Sequence, residues 1–212
     1  MDSRHPARAK SGATLHLVPS VEPPANPGDQ APGPRPFRRF ALWRVLSLDG
    51  LAVLHYTAGC LAILAAYRGH PVLAWPLGLT YLVFATVQLF VLMPLVVCPG
   101  CVYRTIRDGR CPSGLNLISA RLCPPSPNAL EFRERSHGAL CQSKLTWWSW
   151  IAPLPLALPG LALSFSWTAA APTALVVALI AIRRLASRRA VCPHCLAHRW
   201  CPASRAGAGA GA

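Results

Sequence analysis

The sequence predicts an all-α integral membrane protein with about four transmembrane helices. It contains several long apolar runs, and its composition is 53% hydrophobic but only 13% charged, whereas soluble domains carry about a quarter charged residues. Its basic residues flank the apolar runs, as they do in membrane proteins. The net charge of +14 therefore indicates contact with a membrane surface and not with nucleic acid.

The two ends of the chain are predicted to lie outside the folded part. Residues 1–36 are rich in proline and poor in large apolar side chains. Such a segment cannot bury enough surface to offset the entropy of ordering, so we expect a disordered N-terminal tail. The alternation of Ala and Gly in residues 206–212 predicts a flexible C-terminal tail.

Residues 37–97 contain the first two predicted transmembrane helices. Their apolar runs cover residues 46–67 and 72–97, and each can cross about 30 Å of hydrocarbon at about 1.5 Å per residue. Residues 68–71, Arg-Gly-His-Pro, are typical of a tight turn, because Gly ends helices and Pro begins them.

Residues 98–144 are predicted to form a polar loop rich in Arg, Cys, Ser and Pro. The charge-free stretch that follows is too long for one ordinary span, so we predict two transmembrane helices within residues 145–186, the first of them kinked by proline. One long tilted span is the alternative. We expect the C-terminal segment, residues 187–205, to pack on the loop.

The charge distribution predicts the topology. With four spans, the N-terminus, the 98–144 loop and the C-terminus share one face, which carries 20 of the 21 Lys and Arg residues. Arg68 alone lies on the other face. Lys and Arg are enriched in cytoplasmic segments, so we place the basic face in the cytoplasm, the protein in the plasma (inner) membrane, and anionic lipid headgroups beside the arginines.

Eight of the nine cysteines lie on this face. Cys98 and Cys101 form one CPxC pair, and Cys192 and Cys195 form another. A turn with this spacing aims both thiolates at one point, so two pairs supply the four ligands of a tetrahedral zinc site. Each pair follows a predicted helix, and helix ends on one face of a bundle lie close together. The sequence therefore predicts a cytosolic metal-binding module with zinc as its cofactor.

A second candidate site consists of the remaining cysteines of this face. They are Cys111, Cys123, Cys141 and Cys201. In either site, His194 or His198 could replace a cysteine. Cys60 lies inside the first predicted helix, where a cysteine usually serves as a small buried apolar residue.

Three functions stay open on this basis. A scaffold or accessory subunit of a membrane complex, stabilised by zinc and in contact with a protein partner, fits the ligand type and spacing best. An electron-transfer subunit with an iron–sulfur cluster is the alternative, although the compact CxxCxxC run is missing. A thiol–disulfide oxidoreductase is the third. The sequence contains no P-loop, GxSxG or HExxH signature, which favours a protein without enzymatic activity.

His55 is a further candidate, as the ionisable side chain inside the first predicted helix. Such residues mark functional sites in membrane proteins by default. We prefer the alternative of a neutral histidine that is hydrogen-bonded inside the bundle. Trp147, Trp148, Trp150 and Trp200 lie at predicted helix boundaries and are interpreted as interfacial anchors.

Overall fold

The computed structural model of the protein describes residues 36–106, 108–124 and 142–196. This part of the chain is all α-helical apart from turns and short extended segments. Three of its helical segments are long and apolar enough to cross a membrane: Leu42–Ala66, Pro71–Gly100 and Trp167–His194. The two expected tails, except Pro36, lie outside the described residues, as do Cys141, His198 and Cys201.

Helix α1 spans Leu42–Ala66 and α2 spans Pro71–Val87. Their connection is as short as the sequence predicted, and Pro71 begins α2, where its missing N–H costs no intrahelical hydrogen bond. The chain before α1 differs from the expectation. Helix α1 begins only at Leu42, and residues 37–40, which we call the N-terminal clasp, are extended.

Helix α2 continues past Val87 as a π-helix, Gln88–Val97, and then as a 3₁₀ turn, Cys98–Gly100. Pro94 lies inside the π-helix. Proline removes one backbone donor and clashes with the carbonyl one turn earlier, which favours a local change of helical register. The second apolar segment therefore reaches Gly100, three residues beyond the predicted end.

A polar loop with two short helices follows. Helix α3 spans Val102–Thr105 and α4 spans Leu115–Leu122. The residue before α4, Gly114, has φ +63°, and a Cβ at this position would lie 2.8 Å from a side-chain carbon of Val45. Both the left-handed backbone and the close approach therefore require glycine here.

Residues 142–163 form two consecutive helices, α5 (Gln142–Ile151) and α6 (Pro153–Leu163). Hydrogen bonding continues across the junction: Ala152 N–H donates to the Trp148 carbonyl (2.8 Å), and Leu156 N–H donates to the Ala152 carbonyl (3.2 Å). The two helices are nevertheless separate, because Pro153 and Pro155 lack the backbone N–H that a continuous helix would use. The region where we predicted a kinked third span is thus two helices, each too short to count as a span by itself.

Helix α7 spans Trp167–Ala186 and is capped by Ser166, whose hydroxyl accepts from Ala169 N–H. Like α2, it continues as a π-helix, Ser187–Val191, and a 3₁₀ turn, Cys192–His194. The predicted boundary at residue 186 was therefore too early, and the segment that was expected to be a separate C-terminal stretch begins as part of this helix.

Helix α1 lies at the centre of the bundle and contacts α2, α6 and α7. Small residues allow this packing. A Cβ at Gly160 would lie 2.7 Å from the Ala66 carbonyl oxygen, and one at Gly59 would lie 2.7 Å from atoms of Pro153 and Tyr81. Large apolar side chains such as Leu61 and Val83 are exposed on the outside, as expected of lipid-facing positions.

Three chain segments meet at one end of the bundle. The N-terminal clasp contacts the turn after α7, because Phe37 N–H donates to the His194 carbonyl (2.8 Å). The clasp also contacts the 98–124 loop, because Phe40 N–H donates to the Arg110 carbonyl (3.0 Å). We call this the cysteine end, since Cys98, Cys101, Cys192 and Cys195 lie here.

Candidate metal-binding site at the cysteine end

The two CPxC pairs have the same local structure. Each follows a valine at the end of a π-helix, and each forms a 3₁₀ turn. In both turns the last cysteine is extended, with φ −77° and ψ 138° at Cys101 and φ −83° and ψ 125° at Cys195. Its N–H donates to the first cysteine's carbonyl, at 3.1 Å and 3.2 Å respectively. The sequence repeat Val-Cys-Pro-X-Cys is therefore also a structural repeat.

Tyr103 connects the two turns. Its hydroxyl donates to the Phe37 carbonyl (3.1 Å) and accepts from Leu196 N–H (3.1 Å). Burial raises the pKa of Tyr103, the Leu196 N–H lowers it, and nearby Cys195 and Cys101 raise it again. One thiol from each CPxC pair thus lies close enough to the same phenol to influence it.

Packing places the same two cysteines between two apolar clusters. Cys101 and Cys195 both pack against the small cluster of Phe40 and Tyr103, and both also pack against the main core that contains Cys98. The ring of His194 stacks on Phe37, with centroids 4.4 Å apart and planes 7° apart. The N-terminal clasp therefore holds the second turn against the first.

The loop cysteines Cys111 and Cys123 lie near Cys98. Electrostatic interactions connect the Cys98 thiol with Cys111, Cys101, Cys123 and Arg104. Cys111 Sγ is 3.6 Å from the Ser113 hydroxyl. Cys123 Sγ donates to the carbonyls of Pro94 (3.7 Å) and Ser119 (3.5 Å). This arrangement brings two members of the second candidate set beside the first pair.

Within the described residues, no group of three or more His, Cys, Asp or Glu side chains is placed so that it could hold a metal ion. The CPxC turns share an end of the bundle and common neighbours, but their four thiols do not form such a group. Two members of the second candidate set, Cys141 and Cys201, and also His198, lie outside the described residues. Zinc coordination thus stays a prediction.

Asn116 organises the loop, and sequence reasoning missed it. Its side chain is buried, accepts from Cys111 N–H (3.1 Å), and donates to the carbonyls of Gly109 (2.8 Å) and Tyr103 (3.4 Å). One amide thus connects three points of the 103–116 segment. In sequence, the only signal was an amide side chain within the predicted polar loop.

Comparison with protein families, with curated proteins and with solved structures finds no match to this chain. Function is therefore inferred from the fold, the cysteine end and one further group of polar residues.

This further group lies inside the bundle around Trp150. His55 is fully buried, its ring stacks on Trp150 with centroids 4.1 Å apart, and its Nε2–H donates to the Trp150 carbonyl (3.1 Å). The guanidinium carbon of Arg183 lies 3.6 Å from the Trp150 ring centroid. Trp150 is only 6% exposed, so the prediction that it anchors the interface was wrong. Trp147 and Trp148 are 54% and 59% exposed. Trp200 lies outside the described residues.

A hydrogen-bonded network extends from this group to α2. Gln88 donates to the Thr146 hydroxyl (2.8 Å) and accepts from the Ser149 hydroxyl (3.3 Å). Tyr81 donates to the Ser149 carbonyl (3.1 Å). These bonds satisfy side chains that would be costly to leave unpaired in an apolar interior, and they fix α5 against α2.

Proposed function

We propose that this protein is an integral membrane scaffold or accessory subunit that crosses the bilayer four times. Its two CPxC turns, Cys98–Cys101 and Cys192–Cys195, bind zinc at the cytoplasmic end of the bundle. The observation that carries this proposal is that two turns of the same backbone form, whose first cysteines are 94 residues apart, lie at the same end and share Tyr103 as a neighbour.

The positions at which the helices begin and end support an even number of crossings. Helix α1 begins, and the α7 segment ends, at the cysteine end, because Phe37 and His194 are hydrogen-bonded there. Three crossings would leave these two points on opposite faces of the membrane. The candidate spans therefore need a fourth partner.

The pair α5–α6 supplies this fourth crossing. Near its start, Thr146 accepts a hydrogen bond from Gln88, the first residue of the π-helix that continues α2. Near its end, Gly160 packs against the backbone of Ala66, the last residue of α1. The pair therefore extends from the start of this π-helix to the end of α1. At about 1.5 Å per residue, its 22 residues (142 to 163) give about 33 Å, which matches the hydrocarbon core.

The chemistry of the cysteine end fits zinc. Thiolates in CxxC turns suit a tetrahedral, redox-inert ion, and coordination adds stability to segments that lack a large core. The loop and the turn after α7 are such segments. Because the described residues contain no group of three ligands placed to hold a metal ion, the proposal requires that zinc draws the two turns together.

Such a clamp presents one rigid surface made of the loop, the clasp and the C-terminal turn. Arg188 and Arg189 lie at the same end and are exposed, so this surface also suits anionic lipid headgroups. A clamped, basic surface at the membrane is a suitable platform for a protein partner in a complex.

Metal analysis of the purified, detergent-solubilised protein tests the proposal. We expect about one zinc ion per protein chain, bound by both CPxC pairs together, and no visible absorption. Cys98→Ser and Cys192→Ser should each lose the ion to a similar extent, because one site uses both pairs. Cys60→Ser is the matched control, since Cys60 is buried within α1, and it should keep the zinc.

Other outcomes would replace this proposal. Iron with brown colour would identify an electron-transfer subunit with an iron–sulfur cluster. A metal-free protein whose thiol count changes on reduction would identify a thiol–disulfide oxidoreductase. Loss of metal in only one of the two serine variants would show that the pairs act independently.

A further inference from the structure

A groove between α1 and α4 opens on the outside of the bundle at the cysteine end. Its volume is about 360 Å³, within the range of about 300–1,000 Å³ that is usual for sites of small molecules. Most of its lining is apolar, but one carboxylate and one guanidinium also line it. The apolar side chains include Val45, Leu117, Ile118 and Leu122, and the charged ones are Asp49 and Arg121.

Helix α4 lies beside the ends of two membrane-crossing segments. At its start, a Cβ at Gly114 would lie 2.8 Å from a side-chain carbon of Val45, in the first turn of α1. At its end, Cys123 Sγ donates to the Pro94 carbonyl (3.7 Å), in the last turn of the π-helix that continues α2. Helix α4 therefore lies against α1 and the α2 segment near the membrane boundary.

The position of Asp49 along α1 gives the depth of the groove. Helix α1 ends at Ala66, and about 20 helical residues cross about 30 Å of hydrocarbon. Counted back from Ala66, this length reaches about residue 47. Asp49 thus lies close to the level at which phospholipid headgroups meet their acyl chains.

The groove is continuous with the lipid-facing surface. In α4, Leu117, Ile118 and Leu122 are exposed, whereas Leu115 and Ser119 are buried, so the apolar outer face of this helix looks away from the bundle. In α1, the exposed Leu42 and Leu46 share a helix face with the groove residues Val45 and Asp49, which follow at a spacing of three or four residues. An acyl chain therefore suits the apolar part of the groove.

The two charged groups of the groove are not paired with each other. Among the described residues, the cation that acts on Asp49 is Arg183 and not Arg121, and the Arg183 guanidinium lies over the buried Trp150 ring. A carboxylate and a separate guanidinium in one groove match a headgroup that carries a cation with N–H donors next to an anionic phosphate.

We propose that this groove binds one molecule of phosphatidylethanolamine. The lipid ammonium donates to the Asp49 carboxylate, the phosphate accepts from Arg121, and an acyl chain lies along Leu117, Ile118 and Leu122. Phosphatidylcholine has no N–H on its cation, and phosphatidylglycerol has no cation, so each satisfies only part of the site. The site depends on the membrane crossing in the proposed function but not on its zinc.

Native mass spectrometry of the full-length, delipidated protein in detergent tests this site. One synthetic phospholipid is added at a time, and the fraction of protein that carries one lipid is measured against lipid concentration. With identical acyl chains, we expect phosphatidylethanolamine to bind about tenfold or more tightly than phosphatidylcholine, because hydrogen bonds to a charged partner are strong. The monomethyl and dimethyl forms should fall between the two in order of their N–H count, and this series needs no change in the protein.

Two variants separate the two charged contacts. Asp49→Asn should bring the affinities for phosphatidylethanolamine and phosphatidylcholine to within about twofold of each other, since it removes the anion that recognises the ammonium. Arg121→Gln should weaken both lipids alike, because both carry the phosphate. The matched controls are the exposed Asp108→Asn, in the loop, and the exposed Arg68→Gln, at the other end; both should keep the wild-type preference.

Three results would overturn the site: equal binding of phosphatidylethanolamine and phosphatidylcholine, stronger binding of phosphatidylglycerol than of either, or an undiminished preference in Asp49→Asn. Zinc content does not enter these readouts. A zinc-free protein that prefers phosphatidylethanolamine would contradict only the metal proposal, and a zinc-loaded protein without this preference would contradict only the lipid site.

Discussion

Single polar side chains hold together the parts of this protein that have little apolar core. Asn116 replaces backbone partners for Cys111, Gly109 and Tyr103, and the Tyr103 hydroxyl connects the clasp with the turn after α7. Both side chains are buried. An apolar residue of similar size would fill the same space but would leave backbone groups unpaired.

We predict that Asn116→Ala lowers the free energy of unfolding by about 1–3 kcal/mol, because the buried Cys111 N–H and the buried Gly109 carbonyl lose their partner. Asn116→Asp keeps the acceptor for Cys111 N–H and loses both donors, so it should also be destabilised. Denaturant unfolding in detergent measures both. Arg121→Ala changes an exposed residue of the same helix and is the control. If Asn116→Ala lowered the free energy of unfolding no more than Arg121→Ala does, Asn116 would not organise the loop.

The helices depend on small residues where they touch and on proline where they change form. Gly160 and Gly59 let α6 and α2 approach α1. Pro94 lies within the π-helix that continues α2, and Pro153 is the first residue of α6, after the end of α5. Close helix contacts at small residues, and local interruptions of helical hydrogen bonding at proline, are both common in membrane helices.

We predict that Gly160→Ala lowers the free energy of unfolding by about 1–3 kcal/mol, because the added methyl group meets the Ala66 backbone and not a movable side chain. Gly50→Ala is the matched control. A Cβ at Gly50 has nothing within 4 Å, so alanine should be neutral or stabilise α1 by up to about 1 kcal/mol. Thermal unfolding in detergent compares the two; equal midpoints would show that α1 and α6 are not packed this tightly.

The described residues form a helical bundle with one closely packed end and one polar end. The clasp, the loop and both CPxC turns lie together at the polar end, and the turn at residues 67–70 lies at the other. This polarity agrees with the charge distribution, since the proposed four-span topology would place 20 of the 21 basic residues on one face.

At this scale we predict that residues 67–70 and the C-terminus lie on opposite faces of the membrane. An epitope inserted after Gly69 should bind antibody on intact cells. An epitope after Ala212 should bind only after the membrane is permeabilised. If the C-terminal epitope is accessible on intact cells while the Gly69 epitope is not, the positive-inside assignment is inverted; if both are accessible together, the number of crossings is odd.

The sequence by itself determined the helical class, the apolar segments and the pairing of cysteines in two turns. Apolar length and charge placement are local properties, so they can be read without the fold. The predicted run 72–97 lies inside one candidate span, and the predicted run 46–67 lies inside another except for its last residue, Tyr67. The predicted helix boundaries were less accurate. The π-helices that follow Val87 and Ala186 have no sequence pattern that distinguishes a continuing helix from one that ends.

Only the tertiary structure decided which polar residues meet. Trp150 was predicted to be an interfacial anchor because it lies near the end of an apolar run, but its ring lies inward and stacks on His55, and Arg183 of α7 lies over the same ring. The role of residues 37–40 as a clasp and the place of Asn116 also depend on contacts between distant parts of the chain. Such contacts are set by how the helices pack, and packing depends on the shapes of all the helices together.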